Sequence, residues 1–106
     1  MTFEEFKNII NEKFPEVTAE QMEQFEKMDA LYRDWNSKIN VVSRKDIDEL
    51  YRHHVLHSLG IAAYLKTMMP DIYDRLRAEG VYAAALPMKI LDLGTGGGFP
   101  GIPLAV

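Results

Sequence analysis

The stretch DLGTGGGFPG, from Asp92 to Gly101, decides how this chain reads. It overlaps the end of KILDL, Lys89 to Leu93, a short apolar run that suits a buried parallel strand. The residues after it, GIPLAV from Gly101 to Val106, read as the first turn of a helix, with Pro103 tolerated near the start. Strand, glycine loop and helix start form the opening of a βα unit.

Two glycine frames are available, and they imply different cofactors. From Gly96 through Gly98 and Gly101 the loop fits G-x-G-x-x-G. In a dinucleotide fingerprint the first glycine directly follows the strand, and Gly96 comes later than that. The other frame places Gly94, Gly96 and Gly98 at alternate positions, beginning at the strand's carboxyl end beside Asp92. That is the arrangement of S-adenosylmethionine methyltransferases. Glycine lets the backbone approach a ligand without a Cβ in the way. A strand-end carboxylate can bind the cofactor's ammonium group, directly or through water, and Phe99 can wall one side. A bare G-x-G-x-G is often only a turn, but the strand before it, the acid and the helix start after it favour a cofactor loop.

Upstream, the sequence is helical to about residue 80. Thr2 and Glu5 have capping-box spacing, and Phe3, Phe6, Ile9, Ile10 and Phe14 recur at helical period until Pro15. Thr18 and Gln21 open a second helix with the stripe Met22, Phe25, Met28, Tyr32 and Trp35. Asn36 to Val42 reads as a break with an extended piece, because Ile39, Val41 and Val42 are β-branched. Ser43 then caps a long helix ended by Pro70, with Ile47, Leu50, Tyr51, His54, Val55, Ser58, Ile61 and Leu65 on its apolar face. Asp71 to Glu79 reads as a short surface helix, with Gly80 as its stop. The expected division is a helical region over 1–80 and the start of a Rossmann-like domain over 81–106.

Composition narrows the classes. The 106 residues are 47% hydrophobic and 26% charged, which suits a globular domain. A formal charge of −4 gives no global pull toward nucleic acid, although a local patch could still bind RNA. With no cysteine there is no disulfide and no thiolate metal site. No apolar run approaches the ~20 residues that span a bilayer, and MTFEEFKNII is unlike a secretory leader, so a cytoplasmic protein without membrane contact is expected.

DLGTGGGFPGIPLAV resembles the cofactor motif of the small-subunit ribosomal RNA guanine-N7 methyltransferases, also called the glucose-inhibited division protein B family. Two further stretches agree in order and spacing. Trp35-Asn36 with Ile39-Asn40-Val41-Val42-Ser43 resembles the family's W-N-x-x-x-N-L-T-S segment. His54-Val55-Leu56-His57-Ser58 resembles its R-H-x-L-D-S segment. The resemblance implies a helical N-terminal region on a Rossmann-like sheet, and methyl transfer from S-adenosylmethionine to guanine N7 in small-subunit rRNA. Guanine N7 carries a free lone pair and no proton, so positioning and desolvation suffice and no general base is nominated. Carry-over assigns Gly94 and Phe99 to the cofactor, with Gly96, Gly98 and Asp92 shaping its site. The family's arginine falls on His53 here, and its aspartate on His57. The resemblance also implies a second-strand acid for the ribose and later loops for adenine and the target base, and the 106 residues hold none of these. The 106 residues alone are therefore expected to be a truncated N-terminal portion, inactive in isolation. An unpaired KILDL strand could be completed by strand exchange between two chains.

Other side chains have competing readings. His53 and His57 share a helix face, but no H-E-x-x-H pattern or nearby Glu or Cys completes a metal site, so no metal is expected. His54 on the apolar stripe reads as a satisfied core or interface histidine. Arg44, Lys45 and Arg52, with Lys38, form a candidate RNA-facing patch, although Asp34, Asp46, Asp48 and Glu49 are interleaved as on an ordinary solvated surface. Trp35 could stack on a base, but continues the apolar stripe and reads as core. The rival of another class is a non-catalytic helical module that binds protein or RNA and carries a relic cofactor loop. A nicotinamide oxidoreductase fragment is disfavoured by the glycine positions.

Overall fold

The computed structural model describes residues 1–77, 91–93 and 96–106. Helix α1 spans Phe3–Lys13 and α2 spans Ala19–Asn36. Both expected capping boxes form. The Thr2 hydroxyl accepts from the Glu5 amide while the Glu5 carboxylate accepts from the Thr2 amide, and Thr18 and Gln21 repeat the exchange. Each box satisfies two N–H groups that the chain would otherwise leave open at a helix start.

The long helix expected from Ser43 is instead three windings in series. The Ser43 hydroxyl accepts from the Lys45 amide in a local turn, an alternative that serine offers to helix capping. A 3₁₀ turn follows over Ile47–Glu49, then a π-helical segment over Leu50–Leu56, then α3 over His57–Met68. The wider π turn, with its i→i+5 bonds, brings residues five apart toward one face. Leu50 and Val55 are five apart, and both are fully buried. A regular α-helix would put them on different sides. The segment from Ser37 to Val42 is a series of turns and bends rather than the extended piece expected.

Helix α4 spans Pro70–Arg77 and α5 spans Gly101–Ala105. Proline suits the first turn of α4 because no intrahelical N–H is needed there. The expected stop at Gly80 lies outside the described residues, as do Lys89 and Ile90 of the expected strand. Its remainder, Leu91–Leu93, joins no strand, and Leu91 and Leu93 are 84% and 88% exposed. A parallel strand must share its N–H and C=O groups with a neighbour. Among the described residues there is no strand, so the helical region is seen and the Rossmann-like ending is not.

The core lies where α1, α2 and the π segment meet. The Phe6 ring centroid is 5.0 Å from Tyr51 and 5.4 Å from Phe25. The Tyr51 hydroxyl donates to the Phe25 and Glu26 carbonyls at 2.9 and 3.0 Å, so the phenol enters the core without an unpaired donor. Helix α4 is tied to the turn before α2: Tyr73 donates to the Glu16 carboxylate, and Lys66 of α3 donates to it at 3.0 Å. Trp35 departs from its expected core position and is 49% exposed. Helix α2 ends one residue later, and the Lys38 ammonium covers the indole at 5.2 Å where an apolar neighbour was expected.

Candidate cofactor loop on a helical platform

The glycine turn is docked on the helices. Gly96 and Gly98 have φ of +59° and +96°, where a Cβ is strained. Each missing Cβ meets a different surrounding. A Cβ on Gly96 would have nothing within 4 Å among the described residues. On Gly97 it would lie 2.7 Å from the Val41 carbonyl oxygen. On Gly98 it would overlap Ile102 Cδ1 and lie 3.2 Å from the Tyr32 hydroxyl. On Gly101 it would lie 2.9 Å from Asp92 Oδ2. Gly97, Gly98 and Gly101 therefore serve internal packing, while Gly96 meets no described residue where its Cβ would stand. Gly94, the first glycine of the methyltransferase frame, lies outside the described residues.

Several contacts anchor the turn. The Tyr32 hydroxyl donates to the Gly97 carbonyl at 2.6 Å. Burial raises the Tyr32 pKa, so the phenol keeps its proton and remains a donor. Asn36 Oδ1 accepts from the Val41 and Val42 amides at 3.0 and 2.9 Å, fixing the segment whose carbonyl abuts Gly97. The half-buried Phe99 ring lies between Tyr32 and His54, with centroids at 5.1 and 5.0 Å. Asp92 Oδ2 accepts from the Gly101 amide at 2.8 Å and so closes the loop onto the start of α5. At the other end of α5, Gln21 Nε2 donates to the Val106 carbonyl at 2.9 Å, and Pro103 is fully buried.

The other candidate residues gather less tightly. His53, His54 and His57 line a small cavity of about 230 Å³ with Ser58, Ile61, Phe99 and Pro100. His54 packs against Phe99, and its Nε2 is shielded from solvent with no hydrogen-bond partner among the described residues, 3.8 Å from Asp46 Oδ2. His53 Nδ1 lies 3.3 Å from the other Asp46 oxygen. Among the described residues no group of three or more His, Asp or Glu side chains could hold a metal ion. Arg44 and Lys45 are exposed and form no ion pair among the described residues, whereas Arg52 pairs with Glu49 at 3.5 Å. These three cations do not form a packed site. No described helix is long and apolar enough to cross a membrane.

Tyr32, Asn36 and Val41 were not singled out as site residues by sequence. Asn36 and Val41 sit inside the quoted W-N segment, which marks them as a motif without saying what they touch. Tyr32 was one apolar-stripe position among several.

Among the described residues, the Gly96 backbone is the part of the turn with no neighbour where a Cβ would stand. A family model described as rRNA small subunit methyltransferase G matches residues 20–106. The chain is 56% identical over 93 residues to the ribosomal RNA small subunit methyltransferase G of Flavobacterium psychrophilum, covering 88% of this chain and 36% of that protein. It is 55% identical over 93 residues to the protein of that name from Bacteroides fragilis strain ATCC 25285, covering 88% and 37%. For that of Porphyromonas gingivalis the identity is 53% over 98 residues, covering 92% and 37%. The chain thus spans a little over a third of the length of these curated relatives. No solved structure matches it significantly. With more than four-fifths of its residues inside the family match, the chain belongs to the rRNA small subunit methyltransferase G family.

Proposed function

We propose that this chain is the N-terminal portion of an S-adenosylmethionine-dependent methyltransferase that modifies guanine N7 in small-subunit rRNA. In this reading the helical region over 1–80 is a platform, and 81–106 begins the Rossmann-like domain. The observation that carries it is the docking of the glycine turn on the helices through Tyr32, Val41 and His54. A relic loop on a separate interaction module would need no such fit.

The bound cofactor supplies a methyl group on a sulfonium. The chain's part is to bind and orient. Gly96 offers backbone without a side chain, Gly94 is proposed from the resemblance to contact the cofactor, and Gly98 shapes the site by letting the turn pack on Ile102 and Tyr32. Asp92 sets the loop's closure through Gly101, and Phe99 forms an apolar wall braced from behind by Tyr32. No residue here needs to move a proton, because guanine N7 has none to lose. Arg44, Lys45 and Arg52 are the residues proposed to meet rRNA phosphate. The compartment implied by an rRNA substrate is the cytoplasm. Since the chain spans a little over a third of its relatives' length, the isolated 106 residues are proposed to be inactive.

The test uses the full-length protein, small-subunit rRNA lacking the modification, and labelled S-adenosylmethionine. Mass spectrometry of digested rRNA should show one new 7-methylguanosine, absent when only the 106 residues are supplied. Full-length protein that binds S-adenosylmethionine but leaves rRNA unmodified would overturn the substrate. Failure to bind the cofactor would overturn the whole reading.

A further inference from the structure

We propose that Tyr32 is a positioning residue for the glycine turn, through which helix α2 sets the affinity for the cofactor. The inference rests on the reading of the loop as an S-adenosylmethionine site. Its physical basis is one hydrogen bond and one peptide plane.

The Tyr32 hydroxyl donates to the Gly97 carbonyl at 2.6 Å. That carbonyl shares a rigid trans peptide with the Gly98 N–H, which points the opposite way. Holding the oxygen on the helical side therefore aims the Gly98 N–H away from α2. Gly98 itself, with φ of +96°, sits where glycine has wide freedom and would otherwise sample several orientations. A loop of consecutive glycines at 96, 97 and 98 has no side chains with which to fix itself, so its conformation must be imposed from outside. At Gly97, among the described residues, Tyr32 acts by attraction and the Val41 carbonyl by close approach, while Phe99 and Asp92 hold the turn's far side.

Packing alone does not explain a tyrosine here. The other buried members of the α2 stripe, Met22, Phe25 and Met28, are apolar. Phenylalanine at position 32 would fill the same space and keep the ring contact with Phe99. Only the hydroxyl distinguishes them, and the hydroxyl is spent on the loop.

The test compares full-length wild type with Tyr32→Phe. Three readouts are taken: S-adenosylmethionine Kd by calorimetry, kcat and KM for rRNA methylation, and amide exchange across 96–106 and around Val55. The expected result is a Kd and cofactor KM raised about five- to tenfold, as for one lost hydrogen bond. At saturating cofactor, kcat should stay within about twofold of wild type. Exchange should quicken in 96–106 and not around Val55. An unchanged Kd overturns the proposal, whatever the exchange shows. So does a weakened Kd accompanied by faster exchange around Val55, which would mark a general loss of stability. If wild type itself binds no S-adenosylmethionine, the cofactor reading is what fails. If wild type binds and the variant binds equally, the role of Tyr32 is what fails.

Discussion

Replacing Gly97 by alanine tests whether the glycine turn is fitted to the helices or merely near them. Among the described residues, Gly96 and Gly98 have positive φ and Gly97 does not. At an ordinary φ, Gly→Ala stabilises by about 0.4–1 kcal/mol, because the unfolded chain loses freedom. Here the sign should reverse. The new Cβ would lie 2.7 Å from the Val41 carbonyl oxygen, where ordinary contact begins near 3.4 Å. The two segments must part by roughly half an ångström or more, and overpacking of that kind costs about 1–3 kcal/mol. Val41 is poorly able to yield, since its own amide and that of Val42 are held by Asn36 Oδ1. Asn36→Ala alone leaves the Val42 amide in need of a new partner, while the Val41 amide keeps its bond to the Ile39 carbonyl at 3.0 Å; the cost is about 1–3 kcal/mol. Once Asn36 is gone, Val41 can retreat from the alanine. The double variant should therefore lose less than the sum of the singles, by ~0.5 kcal/mol or more. Urea unfolding of wild type, both singles and the double, followed by far-ultraviolet circular dichroism, measures all four. Gly96→Ala is the control. With φ of +59° and nothing within 4 Å among the described residues, it meets only the left-handed strain, about 1 kcal/mol, and should not couple to Asn36. A Gly97→Ala protein as stable as wild type would refute the fit, as would singles that add within ~0.3 kcal/mol.

Burial, aided by the nearby Asp29 charge, pushes the Tyr51 pKa up to about 12. The folded state thus favours the neutral phenol, and its contribution is complete below pH ~10 and lost as pH rises toward 12, by about 2 kcal/mol; in alkaline unfolding curves Tyr51→Phe should flatten that slope. Thr18→Ala removes the hydroxyl that accepts from the Gln21 amide, and should lower stability by about 1 kcal/mol, with Thr18→Ser retaining most of it. Because Gln21 also donates to the Val106 carbonyl, the same alanine variant should speed amide exchange in α5, which thermal melts and exchange together would detect.

Local signals were legible in the sequence wherever a residue's neighbours along the chain decide its conformation. Thr2 with Glu5 and Thr18 with Gln21 name their own partners three positions away, and both boxes form. The stripe from Met22 to Tyr32 follows from a period that any helix imposes. The π segment was not legible, because residues 50, 51 and 55 suit a helix face loosely under either winding, and only the core against Phe6 and Phe25 selects the wider one. Trp35 misled for a related reason: periodicity says which residues share a face, and not how far along that face the cover extends. Around the loop, the glycines were readable as a group but not one by one. Four of them lack a Cβ for four different reasons, and three of those reasons lie in Val41, Tyr32 with Ile102, and Asp92.

That distribution bears on why helices and loop belong together. Val41 and Tyr32 precede Gly97 by more than fifty residues, yet one carbonyl and one hydroxyl from them define its position. A glycine cradle is useful to a ligand because it lacks side chains, and for the same reason it cannot order itself. Some rigid body must carry the entropic cost of ordering it before the ligand arrives. In this chain that body is the α2 helix and the Asn36-pinned turn after it. On the proposed reading, cofactor affinity in the full-length protein should then depend on α2 residues that never touch the cofactor. A fusion of residues 91–106 to a foreign helical scaffold lacking Tyr32 and Asn36 should lose the turn's exchange protection, although every glycine is kept. Protection retained in that fusion would show that the loop folds by itself and that the helices are only its neighbours.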